Sequence, residues 1–216
     1  MIRRFRLPLL ALVALTLLAA CESDEDKAER YFQSALTYLE QEDVDRALIE
    51  LRNVFDHDGF HKEARALYAG LVQERGNFAE AYGQYLRVGE QFPDTVEARE
   101  ALALMALQRR NWEEATRHGE AAIALDASRV GTRAVAAALS YRTALLAENA
   151  SGQAAAAEAA SLGLSDDPSA LAARRVVIDA LLRAEDTEMA LTWSTAVWNM
   201  SPPPPSCISS RRSFWM

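Results

Sequence analysis

Three tetrapeptides decide the fold of this chain: Asp45-Arg46-Ala47-Leu48, Ala79-Glu80-Ala81-Tyr82 and Glu113-Glu114-Ala115-Thr116. Their alanines, Ala47, Ala81 and Ala115, are 34 residues apart each time. A fixed period of this length is typical of repeat proteins, in which each unit packs only against its neighbours. The sequence therefore predicts at least three copies of one structural unit.

Each copy contains two amphipathic stretches separated by a short break. In the first stretch, apolar and small residues lie three and four apart, as at Tyr31, Ala35 and Tyr38, and this spacing places one apolar stripe on a helix. After the break, we expect Phe78 and Trp112 to begin the second helix of their copies and to fill the turn. Only 9 glycines and 7 prolines are available to build β-turns, so we predict an all-α fold.

These features resemble the tetratricopeptide repeat (TPR), a pair of antiparallel helices in 34 residues with small residues where the two helices cross. The resemblance implies a right-handed TPR superhelix, an α-solenoid of about five helix pairs. Alanine at a crossing lets helix axes approach to about 8–10 Å. We assign this packing role to Ala47, Ala81, Ala115 and Ala190. The implied array spans 28–201, with repeats at 28–61, 62–95, 96–129, 130–170 and 171–201.

The fourth repeat is divergent. The interval between the third and the last of these alanines is 75 residues, so this repeat carries about seven extra residues. We expect a helix over 130–147, a break at Ser151-Gly152 and an alanine-rich helix over 153–162. A turn at Ser165-Asp166-Asp167-Pro168 would come next, with Asp167 as the cap of the next helix.

The last fifteen residues leave the pattern. The run from Pro202 to Pro205 cannot be helical, and we interpret 202–216 as an irregular tail that is truncated, frame-shifted or covered by a partner. A repeat array usually closes with a polar capping helix, because its last repeat otherwise leaves an apolar face in water. Trp193 is therefore expected to be partly uncovered.

The N-terminus has the pattern of a secretory signal. Arg3, Arg4 and Arg6 precede an apolar stretch over 7–20, which is shorter than the roughly 20 residues of a membrane span. The stretch ends in Leu18-Ala19-Ala20-Cys21, which resembles the lipobox of bacterial lipoproteins. This resemblance implies a signal peptide at 1–20, a lipid on Cys21 and a short acidic spacer within 21–27. The alternative is an ordinary cleaved signal and an incidental cysteine after it.

The charge of the chain restricts its partners. Without residues 1–20, the chain carries 20 basic and 31 acidic side chains, a net charge of −11. An acidic surface repels phosphate backbones, which argues against a nucleic-acid partner. It also offers no basic patch to anionic lipid, so attachment to a membrane would depend on acyl chains.

No residue pattern indicates catalysis, a cofactor or a metal centre. The sequence has neither a nucleophile elbow nor a glycine-rich phosphate loop. His57 and His61 are four residues apart but flank an expected turn without an evident third ligand, so we expect solvated side chains. We place His118 at the surface or in a groove. The chain is therefore predicted to be a binding protein and not an enzyme.

The resemblance implies a concave groove that is lined by the first helix of each repeat. The implied groove residues are Phe32, Leu36 and Leu39 in the first repeat, Glu63, Ala66, Gly70 and Gln73 in the second, and Glu97, Glu100, Leu104 and Gln108 in the third. This set is partly apolar and partly acidic. It suits an extended peptide or a partner helix with apolar anchors and some basic residues.

The whole chain resembles lipid-anchored TPR proteins of Gram-negative bacteria, whose opening repeat is similar to Ala28-Glu29-Arg30-Tyr31-Phe32. One group accompanies exopolysaccharide and PEP-CTERM sorting genes; others are pilus-assembly pilotins and outer-membrane assembly lipoproteins. The implied function is a membrane-tethered scaffold for protein–protein interaction in the cell envelope, facing the periplasm, with the outer membrane favoured over the inner. Alternatives are a self-associating structural protein, a peptidoglycan-associated or enzyme-regulating module, and a fragment of a longer TPR protein.

Overall fold

The computed structural model describes residues 22–166 and 170–195. In this part of the chain the backbone forms ten α-helices and no β-strand, which confirms the predicted all-α class. The helices are α1 (Asp24–Glu40), α2 (Val44–His57), α3 (Lys62–Glu74), α4 (Phe78–Gln91), α5 (Val96–Gln108), α6 (Trp112–Leu125), α7 (Val130–Leu146), α8 (Ala150–Asp166), α9 (Leu171–Arg183) and α10 (Thr187–Thr195). Within these two ranges, none of the helices combines the length and the apolar character that crossing a bilayer requires. The predicted signal at 1–20, the predicted lipidation site Cys21 and the predicted tail at 202–216 lie outside the described residues.

One kind of turn joins the two helices of every pair. Its central residue has a positive φ, and the five residues are Glu42, Gly76, Arg110, Glu148 and Glu185. An aspartate or asparagine comes directly after each of them and caps the second helix, as where Asp43 Oδ1 accepts the N–H of Arg46 at 3.1 Å. The N–H of Asp43 in turn donates to the Tyr38 carbonyl at 2.9 Å, and the other four turns repeat this bond. Both bonds satisfy backbone groups that helix ends otherwise leave unpaired.

The turn of the fourth pair lies elsewhere than predicted. Ser151-Gly152 is not a break, because both residues belong to the first turn of α8. The turn is at Glu148-Asn149, and Asn149 Oδ1 accepts the N–H of Gly152 at 3.0 Å. The seven extra residues are shared between the two helices: α7 and α8 have 17 residues each, whereas α5 has 13 and α6 has 14. Each helix of this pair is therefore about one turn longer.

The sequence predicts the start of the turn at 165–168 too early in the chain. Residues 165 and 166 still belong to α8, which continues because alanine-rich sequence favours the helix until a breaker appears. Asp167 and Pro168 lie outside the described residues. The N-cap of α9 is Ala170.

The alanines that define the period are all buried. Ala47, Ala81 and Ala115 expose no surface, and Ala190 is buried as well. The equivalent position of the fourth pair, five residues after the positive-φ residue, is the half-buried Gln153. A methyl side chain leaves room for a neighbouring helix, and the longer glutamine explains why the motif is not visible in the fourth pair.

The chain divides into two compact units, 1–84 and 85–216, and the boundary falls within α4. In the described part of the first unit, buried side chains come from α1, α2, α3 and the start of α4 and include Ala28, Ala35, Leu51, Val54, Tyr68 and Ala81. The core of the second unit includes Ala103, Val135, Tyr141, Ala160, Val177 and Trp193. Trp193 is thus buried, not partly uncovered as predicted, because α10 turns its indole into this core.

Phe78 and Trp112 are the first residues of α4 and α6, as predicted, but their side chains differ in burial. Phe78 does not fill its turn, because its side chain is exposed to solvent. Trp112 is half-buried against the core of the second unit, and the guanidinium of Arg142 lies 4.4 Å from the centre of its ring. A cation over the face of an indole is an attractive contact.

A second regular position lies near the start of the first helices. The fourth residue of α3, α5, α7 and α9 is an arginine: Arg65, Arg99, Arg133 and Arg174. Arg65 donates to the Gly59 carbonyl at 2.7 Å, and Arg99 donates to the Gly89 carbonyl at 2.8 Å. Both carbonyls belong to the segment before the arginine's own helix, so the guanidinium ties each helix to the chain that precedes it. These charge-assisted bonds are among the stronger hydrogen bonds in proteins.

Candidate functional site

The eleven predicted groove residues all keep some contact with solvent. Glu63, Glu97 and Gln108 are exposed, and the other eight are half-buried: Phe32, Leu36, Leu39, Ala66, Gly70, Gln73, Glu100 and Leu104. Seven of them belong to the first unit and four to the second. They therefore form two separate sets, one in each compact unit.

In the first unit, the predicted residues of α1 and α3 approach each other around His61. The rings of Phe32 and His61 have centroids 4.7 Å apart. A carboxylate oxygen of Glu29 lies 3.5 Å from His61 Nε2, and one of Glu63 lies 3.7 Å from His61 Nδ1. We call this set the α1–α3 face: Glu29, Phe32, His61 and Glu63, with Leu36, Leu39, Ala66, Gly70 and Gln73 along the same two helices.

The α1–α3 face combines apolar surface with solvent-exposed carboxylates. Glu29 and Glu63 expose 58% and 68% of their side chains, so their carboxylates are available to a partner. Phe32, Leu36 and Leu39 remain half-buried and offer apolar contact area. Side chains of this kind bind apolar anchors that alternate with lysine or arginine.

The two histidines of the first unit are not solvated, which corrects our expectation. His57 lies flat against Tyr31, with ring centroids 5.5 Å apart and planes 6° apart, and its Nδ1 is 3.3 Å from Asp24 Oδ1. His61 packs on Phe32 and caps α3, where its Nδ1 accepts the N–H of Ala64 at 3.3 Å. The sequence signal for these contacts was the adjacent pair of aromatic residues in α1. In the described residues, no group of three or more metal-ligating side chains comes together.

In the second unit, the predicted acidic residues are paired with a cation. Arg129, the N-cap residue of α7, donates to Glu97 at 3.0 Å and to Glu100 at 3.3 Å. Thr132 also donates its hydroxyl to Glu100, at 2.9 Å. We call Glu97, Glu100, Arg129 and Thr132 the Arg129 cluster. Its carboxylates are less available to a basic partner than we predicted, because Arg129 already offsets about half of their charge.

Gly131 gives the Arg129 cluster its space. A Cβ at this position would lie 2.3 Å from a carboxylate oxygen of Glu100, which is much closer than any non-bonded contact allows. The absence of a side chain therefore lets Glu100 lie across the first turn of α7. Leu104 and Gln108 lie farther along α5, the former packed partly against the core and the latter exposed.

His118 is buried, not at the surface or in a groove as we expected. It lies on the same side of α6 as Ala115, Gly119 and Ala122, which are buried with it. Its Nε2 is 3.1 Å from Glu114 Oε2 and 3.0 Å from Arg117 Nη2, and its Nδ1 is 3.4 Å from Arg99 Nη1. Burial, and then the nearby Arg117 guanidinium, lower the pKa of His118.

A trough of about 510 Å³ lies along α7 and α8 in the second unit. Small side chains line most of it, among them Ala136, Ser140, Ala155 and Ala159, and an ion pair of Arg133 with Asp166 borders it. The extra turn in each of these helices lengthens the trough. Its surface is almost uniformly apolar and offers little to select a ligand.

No model of a known protein family matches this chain, and no curated protein matches its sequence.

Proposed function

We propose that this chain is a membrane-tethered TPR scaffold that mediates protein–protein interaction in the bacterial cell envelope. Its helix pairs stack in a right-handed superhelix, Cys21 carries the lipid anchor, and the protein faces the periplasm, preferably at the outer membrane. The pathway would be exopolysaccharide export or envelope or pilus assembly. No enzymatic activity, cofactor or metal is part of this proposal.

The observation that carries the proposal is the repetition of one turn through five helix pairs. A positive-φ residue with a capping aspartate or asparagine directly after it recurs at residues 42, 76, 110, 148 and 185. The buried alanine five residues later recurs in four of the five pairs. Because repeated helical pairs bury one side on their neighbours and leave first-helix residues accessible, this architecture supports a binding function.

The chemistry of the α1–α3 face supports a particular class of partner. Glu29 and Glu63 present exposed carboxylates beside the half-buried rings of Phe32 and His61. A peptide or helix with an apolar anchor next to a lysine or arginine would pair its charge and bury its anchor at the same time. The net charge of −11 for 21–216 favours such a partner at long range as well.

Crosslinking and then capture of the membrane-anchored protein test this function. We expect the wild-type chain to retain partners that the Phe32→Ala/Leu36→Ala variant loses, and a separate Leu104→Ala variant reports on the second unit. Ile49→Ala is the matched control, because Ile49 is an exposed apolar residue of α2 and not part of the α1–α3 face. If the groove variants retain the same partners as the wild type, binding through these faces is wrong.

One observation favours a second candidate, a structural protein that associates with itself. Leu171 and Leu182 of α9 are exposed, and with the half-buried Ile178 they have a spacing that places them on one side of the helix. Sedimentation at increasing concentration distinguishes the candidates. Self-association predicts oligomers that a Leu171→Ser/Leu182→Ser variant loses, whereas the scaffold function predicts no change in mass with concentration.

A further inference from the structure

We propose that the loop between α2 and α3 touches the lipid surface, with Phe60 as the inserted side chain. This inference rests on the lipid anchor at Cys21 that belongs to the proposed function. The occupant of this surface would be the zwitterionic headgroup layer of the membrane that holds the anchor. The contact would orient the first unit relative to the bilayer.

The loop lies beside the N-terminal end of α1. Asp24, the first residue of α1, is 3.3 Å from His57 at the end of α2. Farther along α1, Tyr31 stacks on His57 and Phe32 packs on His61. Both ends of the loop are therefore held against the first turns of α1.

The loop is fixed and still presents an aromatic side chain to solvent. Asp58 Oδ1 accepts the N–H of Phe60 at 2.8 Å, and Arg65 donates to the Gly59 carbonyl at 2.7 Å. Both bonds fix the peptide group that joins Gly59 to Phe60. Even so, 67% of Phe60 is exposed, the largest exposed fraction of any phenylalanine among the described residues. A rigid loop that holds an aromatic ring in water is a common means of contacting a membrane interface.

The chain places this ring within reach of a membrane at Cys21. Cys21 is three residues before Asp24, and three residues span at most about 11 Å. The headgroup layer on each side of a bilayer is about 5–8 Å thick. A lipid on Cys21 would therefore hold the start of α1 within about 11 Å of the lipidated residue, with the end of α2 in contact with it.

The charges at this end of the first unit argue against an anionic lipid surface, because Glu25 and Asp26 are exposed acidic residues of the first turn of α1. Glu22 pairs with Arg30 at 3.0 Å, and Asp24 pairs with Lys27 at 2.9 Å. These pairs reduce the repulsion between the acidic N-terminal turn and lipid headgroups. They leave no excess of positive charge, so the contact depends on the apolar ring and not on anionic lipid.

Labels at two positions test the contact. Full-length, lipidated protein carrying Cys207→Ser and either Phe60→Cys or Ile49→Cys is labelled with an environment-sensitive dye and reconstituted into phosphatidylcholine vesicles. We expect the emission at position 60 to shift to the blue and to be quenched by lipids with brominated chains. The label at position 49, an exposed apolar site on α2, should show neither change.

Vesicle flotation of the same samples separates this inference from the anchor. Wild-type protein that floats, together with an aqueous spectrum at position 60, overturns the membrane contact and leaves the anchor intact. Wild-type protein that does not float overturns the anchor and the contact together. Cys21→Ser should remain in the aqueous fraction, since a single phenyl ring adds far less to membrane binding than two or more acyl chains.

Discussion

In each of two regions of the molecule, the N-cap residue of a pair's first helix lies against the first helix of the preceding pair. The two regions differ in the contacts that this residue makes. His61 caps α3 and lies beside Glu29 and Phe32; Arg129, which is 68 residues farther along, begins α7 and lies beside Glu97 and Glu100. Each partner in the second unit is also 68 residues after its counterpart, so the contacts correspond position by position.

The side chain at the cap decides what the neighbouring carboxylates can do. A guanidinium is always charged and bonds to two carboxylates at once, so Glu97 and Glu100 are already paired. An imidazole on a phenyl ring makes a weaker demand, and the carboxylates of Glu29 and Glu63 lie 3.5 and 3.7 Å from its nitrogens, farther than Glu97 and Glu100 lie from Arg129. Equivalent positions in a repeat can thus become a binding face in one unit and a structural contact in another.

The largest expected effect comes from the buried histidine of the second unit. His118→Ala should lower the free energy of unfolding of this unit by about 2–4 kcal/mol, because it leaves a cavity and removes the partner of Arg99 and Glu114. His61→Ala in the first unit should cost at most about 1 kcal/mol, since it removes a cap and one ring contact. Chemical denaturation monitored by helical circular dichroism measures both.

Tryptophan emission sharpens that measurement. The described part of the first unit has no tryptophan, whereas Trp112 and Trp193 lie in the second, so emission reports on the second unit. Equal losses for the two histidine variants would contradict the difference in burial.

Acid should destabilise the second unit through the same histidine. The pKa of His118 is lowered in the folded chain, so the unfolded chain binds a proton more readily as the pH falls below about 6.5. The stabilisation is therefore complete above this value and is lost toward the lower folded pKa, with a slope of up to about 1.4 kcal/mol per pH unit. Denaturation between pH 8 and pH 5 measures the slope, and His118→Gln should remove this contribution. An unchanged slope in the variant would assign the effect to other groups.

Substitutions in the turn that all five helix pairs share should change the stability less. Asn149→Ala should cost about 1 kcal/mol, as should Asn111→Ala, because each removes the side-chain cap of a second helix. Ser151→Ala should change the stability little, because Ser151 is exposed within the first turn of α8. A greater loss of stability in Ser151→Ala than in Asn149→Ala would instead favour a turn at Ser151-Gly152, as the sequence predicted.

The smallest expected change in stability comes from giving the second unit the cap residue of the first, histidine in place of Arg129. Arg129→His should cost less than about 1 kcal/mol, because the ion pairs that it weakens are partly exposed. It should also increase the binding of a lysine-rich amphipathic peptide to the second unit, measured by fluorescence anisotropy. Arg142→His is a control for the loss of an arginine from α7. If both variants bind the peptide like the wild type, the availability of Glu97 and Glu100 does not limit binding.

Most of the helical layout could be predicted from the sequence, because the alanine motif and the breaks before it recur at a fixed interval. The fourth pair could not, since its alanine position is Gln153 and its positive-φ residue is Glu148. Nothing in a glutamate indicates a left-handed backbone, whereas Ser151-Gly152 has the composition of a turn. A glycine near the start of a helix costs little when an asparagine caps the turn.

The candidate site was less predictable than the helices. The burial of His118 had a signal, because Ala115, Gly119 and Ala122 share its side of α6, but alanine and glycine contribute little to an apolar pattern. The pairing of Glu97 with Arg129 had no signal in the sequence, because the length of an arginine side chain allows several partners. A periodic sequence locates first-helix residues, and the side chains of the next repeat determine which of them stay free.

The lengthened fourth pair shows how a helical hairpin can grow without disturbing the pair after it. Its first helix gains four residues over α5, and its second helix gains three over α6. At about 1.5 Å per residue, the first helix extends about 6 Å farther before the turn, and the second returns by about 4.5 Å. The two additions largely cancel along the hairpin, so the chain enters α9 at nearly the level that a shorter hairpin would have given it.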